Sequence, residues 1–460
     1  MAAVNSLRAA VVGSGPAGLY TAEALIKQAE IPVSVDVFDR LPTPYGLVRY
    51  GVAPDHPSIR SIAQYLQRVL EQPEVRFLGG IELGNDLTRD DLLRCYDAVV
   101  YATGATVDRR LGVPGEDLPG SVSATEFVKW YCGHPDVEAE RFTLDTEQVA
   151  VIGVGNVAVD VARVLARPAE ELAGTDVPAQ VLDVLRSSKM GEVNVVGRRG
   201  PAQAKFTPKE LRELGKLDGA GVHVRPDEIA VDEDELAQAQ RQARSNVEVL
   251  RAWSQREPQG QQRSINMRFW LRPVEIVGAD RVEGLRLERT ELRDGRVAGT
   301  GEYEFWPVGM VVRSVGYRSV PLPGVAFDES SHTVPNEEGR VLAGAGTAGS
   351  AGGAVPGEYV SGWLKRGPTG VIGTNKSDAA QTVRSLLADV PALREARPDG
   401  GESIDELLAE RGIRPVTYDD WLAVEAAEAA HGNSLGRERV KLAGWDGLRE
   451  AIEAARRGAG

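Results

Sequence analysis

Two glycine clusters, a lone acid and a pair of arginines are the residues whose types and spacing could do chemistry. Gly13, Ser14, Gly15, Pro16, Ala17 and Gly18 form a full GxGxxG between a strand and a helix. Glycines let the backbone turn tightly and approach a pyrophosphate, which then sits on the free N–H groups of the helix N-terminus. Asp39 closes the next strand, where an acid can bind both hydroxyls of a ribose. The second cluster is Gly153, Val154, Gly155, Asn156, Val157 and Ala158, with alanine in the third glycine's place. Its following strand, in "VNVVGRRGP", ends in Arg198 and Arg199. A carboxylate there would repel a 2′-phosphate, whereas guanidinium groups bind it through charge-assisted bonds, so the second dinucleotide is expected to be NADP. The first site, with its acid, suits FAD. A nicotinamide that delivers a hydride and a flavin that takes two electrons and can release them singly make a redox pair.

The elements around these residues read as α/β, with two Rossmann-like dinucleotide-binding domains. Arg8 to Arg40 is strand, glycine turn, helix, strand, and a second such unit opens at Gln148. The interval from Ala158 to Arg198 is longer than usual, and an extra helix over about Ala179 to Lys189 is expected to fill it. A helix is expected from about Ser58 to Gln72. "YDAVVYATGA", Tyr96 to Ala105, is a buried strand whose glycine turn marks the first crossing out of the first domain. Asp227 to Gln261 reads as a solvated helix on the surface, followed by strands at Met267 to Val277, Gly284 to Leu292 and Met310 to Val315. The Gly/Ala run Ala343 to Ala354 is expected to be a mobile loop, and Ser377 to Arg457 to be helices covering the first domain.

Composition narrows the function classes. The chain has 460 residues, 42% of them hydrophobic, ample for packed cores. No stretch approaches the run of about 18 apolar residues that a membrane helix needs, and Met1 to Arg8 leave no room for a signal peptide, so the expected location is cytoplasmic. Cys95 and Cys132 are too few and too far apart for a CxxC pair or a metal cage, so neither dithiol chemistry nor a metal is expected. With 53 basic against 67 acidic residues the net charge is −14, which argues against nucleic acid as a partner.

The chain resembles ferredoxin-NADP reductases of the adrenodoxin reductase type. The resemblance runs through "GSGPAGLY", "PYGLVRYGVAPDHP", "GVGNVAVDVARVL", "VGRRGP", "FTPKELREL", "SVGYRS" and "GWLKRGPTGVIGT". It implies a discontinuous FAD domain (1–105 and 332–460) with an NADP domain (106–331) inserted, and electron flow from NADPH through FAD to a ferredoxin-type iron-sulfur protein, commonly one serving a cytochrome P450. It also implies that Ala17, Asp39, Leu47 and Ile81 lie along the FAD. Trp363 and the backbone of Gly370, Val371 and Ile372 would meet its flavin end, with Gly370 also near the nicotinamide. Val154 to Val157 would face the NADP pyrophosphate, and Glu210 would contact the same cofactor.

His56 and Asp160 match a histidine and an aspartate found near the family's flavin, which makes them the candidate catalytic pair, for positioning and proton supply. On the residues alone, Asp160 is an acid among apolar neighbours on a helix, placed for a domain interface. His56, between Asp55 and Pro57, is placed to cap the helix that follows. Lys27, Arg40, Arg49, Arg60, Lys205, Lys209 and Arg212 offer a basic surface to an acidic ferredoxin. Two other readings stay open at this point: the flavin subunit of a larger NADPH-dependent complex, and a non-catalytic NADPH-binding flavoprotein.

Overall fold

The computed structural model describes residues 6–231, 233–257, 260–344, 353–396 and 401–458. Most of the Gly/Ala run that was expected to be a mobile loop, 345–352, lies outside them. Two sheets carry the architecture. In the first, the strands run in the order Asn336–Glu337, Arg340–Leu342, Ala354–Val360, Ala98–Tyr101, Leu7–Val12, Val33–Asp39, Val75–Gly79. From Ala354–Val360 onward every neighbour pair is parallel. Parallel strands are covered on both faces, which is why Ala9, Ala10, Val11 and Val99 are all fully buried in near-continuous apolar runs.

The second sheet has six strands, all parallel: Ser121–Ser123, Met310–Arg313, Gln148–Ile152, Glu192–Val196, Arg263–Arg268 and Ala220–Val224. The helix Ala179–Arg186 occupies the long interval before Glu192, as expected. An antiparallel meander, Leu271–Val277, Gly284–Arg293 and Arg296–Trp306, covers one face through Leu271, Ile276, Leu285 and Leu287 packed on Ala150, Ile152 and Val196.

Two segments differ from what their sequence pattern suggests. Met267 to Val277 is not one strand. The chain breaks at Trp270, whose φ is +61°, and Arg263–Arg268 and Leu271–Val277 belong to different sheets. The charged stretch after Asp227 forms two helices, Glu233–Gln238 and Arg241–Ser254, and the second is not simply solvated: Asn246, Val247, Leu250 and Trp253 are buried. A helical period of charged residues reports one face and is silent about what the other packs against.

The two halves are joined by a two-stranded ribbon, Val107–Asp108 against Tyr317–Arg318. Beyond it, Leu322, Val325 and Phe327 pack in the cluster of Phe38, Leu78 and Ile81 beside the first sheet. The C-terminal helices cover the first half, with Trp421, Val424, Leu448 and Ile452 in its core. They also strap it to the second: Arg437 donates to the carbonyls of Thr175 and Val177, and Lys441 reaches both Asp176 and the carbonyl of Arg49. In return, Tyr50 and Ala53 from the first half pack in the core of the second.

Candidate active site between two dinucleotide cradles

Both glycine turns open at the C-terminal ends of parallel strands, Leu7–Val12 and Gln148–Ile152, where doubly wound folds bind ligands. Gly13 (φ +113°) presses against the strand Ala98–Tyr101 so closely that a Cβ would lie 2.5 Å from the carbonyl oxygen of Ala102. Gly15 is the first residue before the helix Pro16–Lys27, and a Cβ there would meet only the Cα of Gly46, at 3.9 Å. Asp39 ends its strand against this turn. One carboxylate oxygen accepts from the Ser14 amide (2.9 Å) and hydroxyl (2.5 Å), and the other from the Leu41 amide (2.9 Å). Burial raises the Asp39 pKa, opposed by those bonds. Leu47 opens the short helix Leu47–Tyr50, and Ile81 is buried just beyond the last strand of this group.

The second cradle has the same build. Gly153 would place a Cβ 2.0 Å from the Ser314 carbonyl oxygen, whereas one on Gly155 would meet nothing within 4 Å. Asn156 Oδ1 accepts from the Thr207 amide at 2.8 Å, and the Lys205 and Phe206 amides donate to the Val154 carbonyl, so the turn is braced against the loop that leads to Glu210. Arg198 and Arg199 lie past the strand Glu192–Val196, and neither makes an ion pair among the described residues. Arg198 is exposed, and the Arg199 Nε is buried without a partner. In a chain whose guanidinium groups are mostly paired, these two have the chemistry to take an anion.

His56 stands at the N-cap position of the helix Pro57–Leu70, yet its side chain makes no capping bond. It points across to the other half, where Nε2 is 3.0 Å from Asp160 Oδ1 and 3.2 Å from Glu210 Oε2. Asp160 rides on the helix Asn156–Ala166 that follows the second glycine turn, and Glu210 on the helix Pro208–Leu214 capped by Thr207. Burial opposes protonation of His56, but Asp160 and Glu210 outweigh burial and the nearby Arg163, so its pKa is raised above 6.5. The Arg163 guanidinium is also 3.0 Å from Asp160 Oδ1, which sets a fixed cation among the three groups.

At the other end of the first cradle, Trp363 opens the helix Trp363–Arg366 and its ring lies 5.5 Å from that of Tyr317, tilted by 31°. Trp363 Nε1 donates to the Thr369 carbonyl and so ties the helix to the turn at Gly370, Val371 and Ile372. Gly370 has φ +85°, Val371 is 64% exposed and donates its amide to Thr374 Oγ1, and the amides of Gly370 and Ile372 have no acceptor among the described residues. Donors held by a rigid turn without acceptors fit a polar ligand edge.

This geometry has known counterparts. The family model described as pyridine nucleotide-disulphide oxidoreductase matches residues 7–342. The chain belongs to that family. Within it, the chain is 45% identical over 450 residues to the NADPH-ferredoxin reductase FprA of Mycobacterium tuberculosis, covering 94% of this chain and 96% of the relative. It is 39% identical over 450 residues to the mitochondrial NADPH:adrenodoxin oxidoreductase of Homo sapiens, covering 94% and 89%. The solved structure of Mycobacterium tuberculosis FprA in complex with NADPH superposes with a TM-score of 0.90 at 43% identity, covering 99% of this chain and all of that one.

This pyridine nucleotide-disulphide oxidoreductase carries no dithiol among its described residues. Cys95 and Cys132 are buried and free. Burial pushes the Cys132 thiol up to about 12, and Cys95 is raised as well, so neither presents a thiolate. Among the described residues no helix is long and apolar enough to cross a membrane. Sequence reasoning missed Arg163, Asp55 and Tyr317. The only signals were that Asp55 adjoins His56 and that Arg163 follows Asp160 by one helical turn. It also misplaced Arg49, expected on a basic surface but buried against Glu428.

Proposed function

We propose that this protein is an NADPH–ferredoxin reductase, carrying FAD and using NADPH to reduce a ferredoxin-type iron-sulfur protein in the cytoplasm. The observation that carries the reading is the contrast between two glycine cradles in one chain: Asp39 at one ribose position, and Arg198 with Arg199, free of ion pairs, at the other. The names of the relatives agree with it.

Bound FAD would supply a two-electron acceptor able to release electrons singly. The chain's residues fit it: the open face of Gly15, the Asp39 carboxylate, and the unfilled amides of Gly370 and Ile372. Ala17, Leu47, Ile81, Trp363 and Val371 complete that proposed lining. Gly155, Asn156, Val154 and Val157 would receive the NADP pyrophosphate, the two arginines its 2′-phosphate, and Glu210 would face the same ligand. His56 and Asp160 join the halves between these cradles, where they orient the reactants and supply a proton.

For the domains, we propose a flavin half and an inserted NADP half joined at the ribbon Val107–Asp108/Tyr317–Arg318. Because Leu322, Val325 and Phe327 pack with the flavin half, its second segment is taken from that ribbon onward and not from residue 332. For the partner, Lys205, Lys209 and Arg212 are exposed beside Glu210 and make no ion pair among the described residues. Lys27 and Arg40 are engaged by Glu23 and Asp136. Docking is therefore assigned to the first three.

The test is anaerobic addition of NADPH to the purified yellow protein, followed by cytochrome c reduction with and without a ferredoxin. Bleaching of the flavin and a strong ferredoxin-dependent rate are expected. A flavin that stays oxidised would overturn the enzyme reading, and bleaching without any ferredoxin effect would overturn the acceptor.

A further inference from the structure

We propose that Arg163 is a positioning residue for His56: by gripping Asp55 it sets the loop before the helix Pro57–Leu70 so that His56 meets Asp160. The inference rests on the reading of His56 and Asp160 given above. Arg163 lies one turn after Asp160 on the same helix, and its side chain is 1% exposed. Its Nε and Nη2 donate to the two oxygens of Asp55 at 2.7 and 3.1 Å, a fork that fixes both distance and plane. Arg167, a turn further on, adds a contact to Asp55 at 3.1 Å. The same Arg163 Nη2 lies 2.5 Å from His56 Nε2 and 3.0 Å from Asp160 Oδ1.

Asp55 and His56 are consecutive, so holding one carboxylate at two points leaves the next side chain little freedom. Without that grip, His56 would sit at the start of a helix it does not cap, on a loop from the opposite half of the molecule. Asp55, Asp160, Glu210 and Glu171 face Arg163 and Arg167, so the acids outnumber the two fixed cations beside His56. Tyr131, Tyr317 and Cys132, whose pKa values are raised first by burial and further by the Asp160 charge, stay neutral.

The coupling between His56 and Asp160 can be read directly by NMR titration of the imidazoles in the FAD-loaded protein. The chain has five histidines, so His56→Gln assigns the resonance. In the parent protein, Asp160→Asn is expected to lower the His56 midpoint by about one pH unit, because a neighbouring carboxylate favours the charged ring. In an Arg163→Met background that shift should be lost, and Arg163→Lys should restore part of it. Should Arg163→Met fail to fold, Asp55→Asn, which removes the grip and keeps the guanidinium, serves as the second background. NADPH-driven flavin reduction should slow in both while FAD remains bound. A midpoint shift of undiminished size in these backgrounds overturns the proposal, whatever the enzyme's acceptor turns out to be, since the titration does not depend on turnover.

Discussion

Arg49 and Glu428, 379 positions apart, form a two-point ion pair with side chains 5% and 0% exposed. Arg49 is also sandwiched by the rings of Tyr50 and Trp421, each 4.9 Å from its guanidinium carbon. The pair pins a C-terminal helix to the loop that leads to His56. Removing one member leaves a buried charge without its counterion, which costs more than the pair itself contributes. Glu428→Gln is expected to destabilise the protein by about 3–5 kcal/mol in denaturant unfolding. A loss below about 1 kcal/mol would mean that water reaches Arg49.

Replacing Arg198 and Arg199 with alanine would remove the two charge-assisted contacts proposed for a 2′-phosphate and leave the rest of the cradle intact. The Michaelis constant for NADPH should rise on the order of 10- to 100-fold, with little change for NADH. Equal increases for both nucleotides would disprove the assignment.

The two cradles offer a paired test of their glycines. Gly13→Ala places a methyl 2.5 Å from a carbonyl oxygen at φ +113°, so the variant should lose FAD and much of its soluble yield. Gly155→Ala meets nothing within 4 Å and has an extended backbone (φ −109°), so it should melt like the parent. Its methyl would stand where a pyrophosphate approaches the helix, and NADPH binding should weaken. Parent-like NADPH affinity in a well-folded Gly155→Ala would place the nucleotide elsewhere.

Asp160→Ala takes away the carboxylate that faces His56 Nε2. Stopped-flow reduction of the flavin by NADPH should slow by roughly tenfold to 100-fold, with the flavin-to-protein ratio unchanged. An unchanged reduction rate would remove Asp160 from the mechanism.

His56 also makes a prediction about stability. Its folded pKa is raised above the ordinary 6.5, so the charged ring stabilises the native state fully below 6.5, and this contribution fades as pH rises through the elevated value. The gap in melting temperature between the parent and His56→Gln should therefore be wider at pH 6 than at pH 9. A gap independent of pH would show that folding leaves the His56 pKa unshifted.

The sequence by itself determined both cradles, because their requirements are local. A strand, a glycine turn and a helix N-terminus are all written within a few consecutive residues, and Asp39 and the arginine pair follow at strand ends. What only the tertiary structure decided depends on where separate stretches meet. Arg49 reads as a surface cation until a helix nearly 380 positions later supplies Glu428. His56 reads as a helix cap until the second half brings Asp160 and Glu210 to its ring. Arg163 reads as one more polar residue on an amphipathic helix until Asp55 arrives from the opposite domain. Met267 to Val277 keeps a strand-like pattern across Trp270, because apolar alternation does not record which sheet each part joins. Local conformational preferences act over one or two turns of chain, whereas buried charge pairing is settled by the packing of whole domains, and the contact of His56 with Asp160 belongs to the second kind.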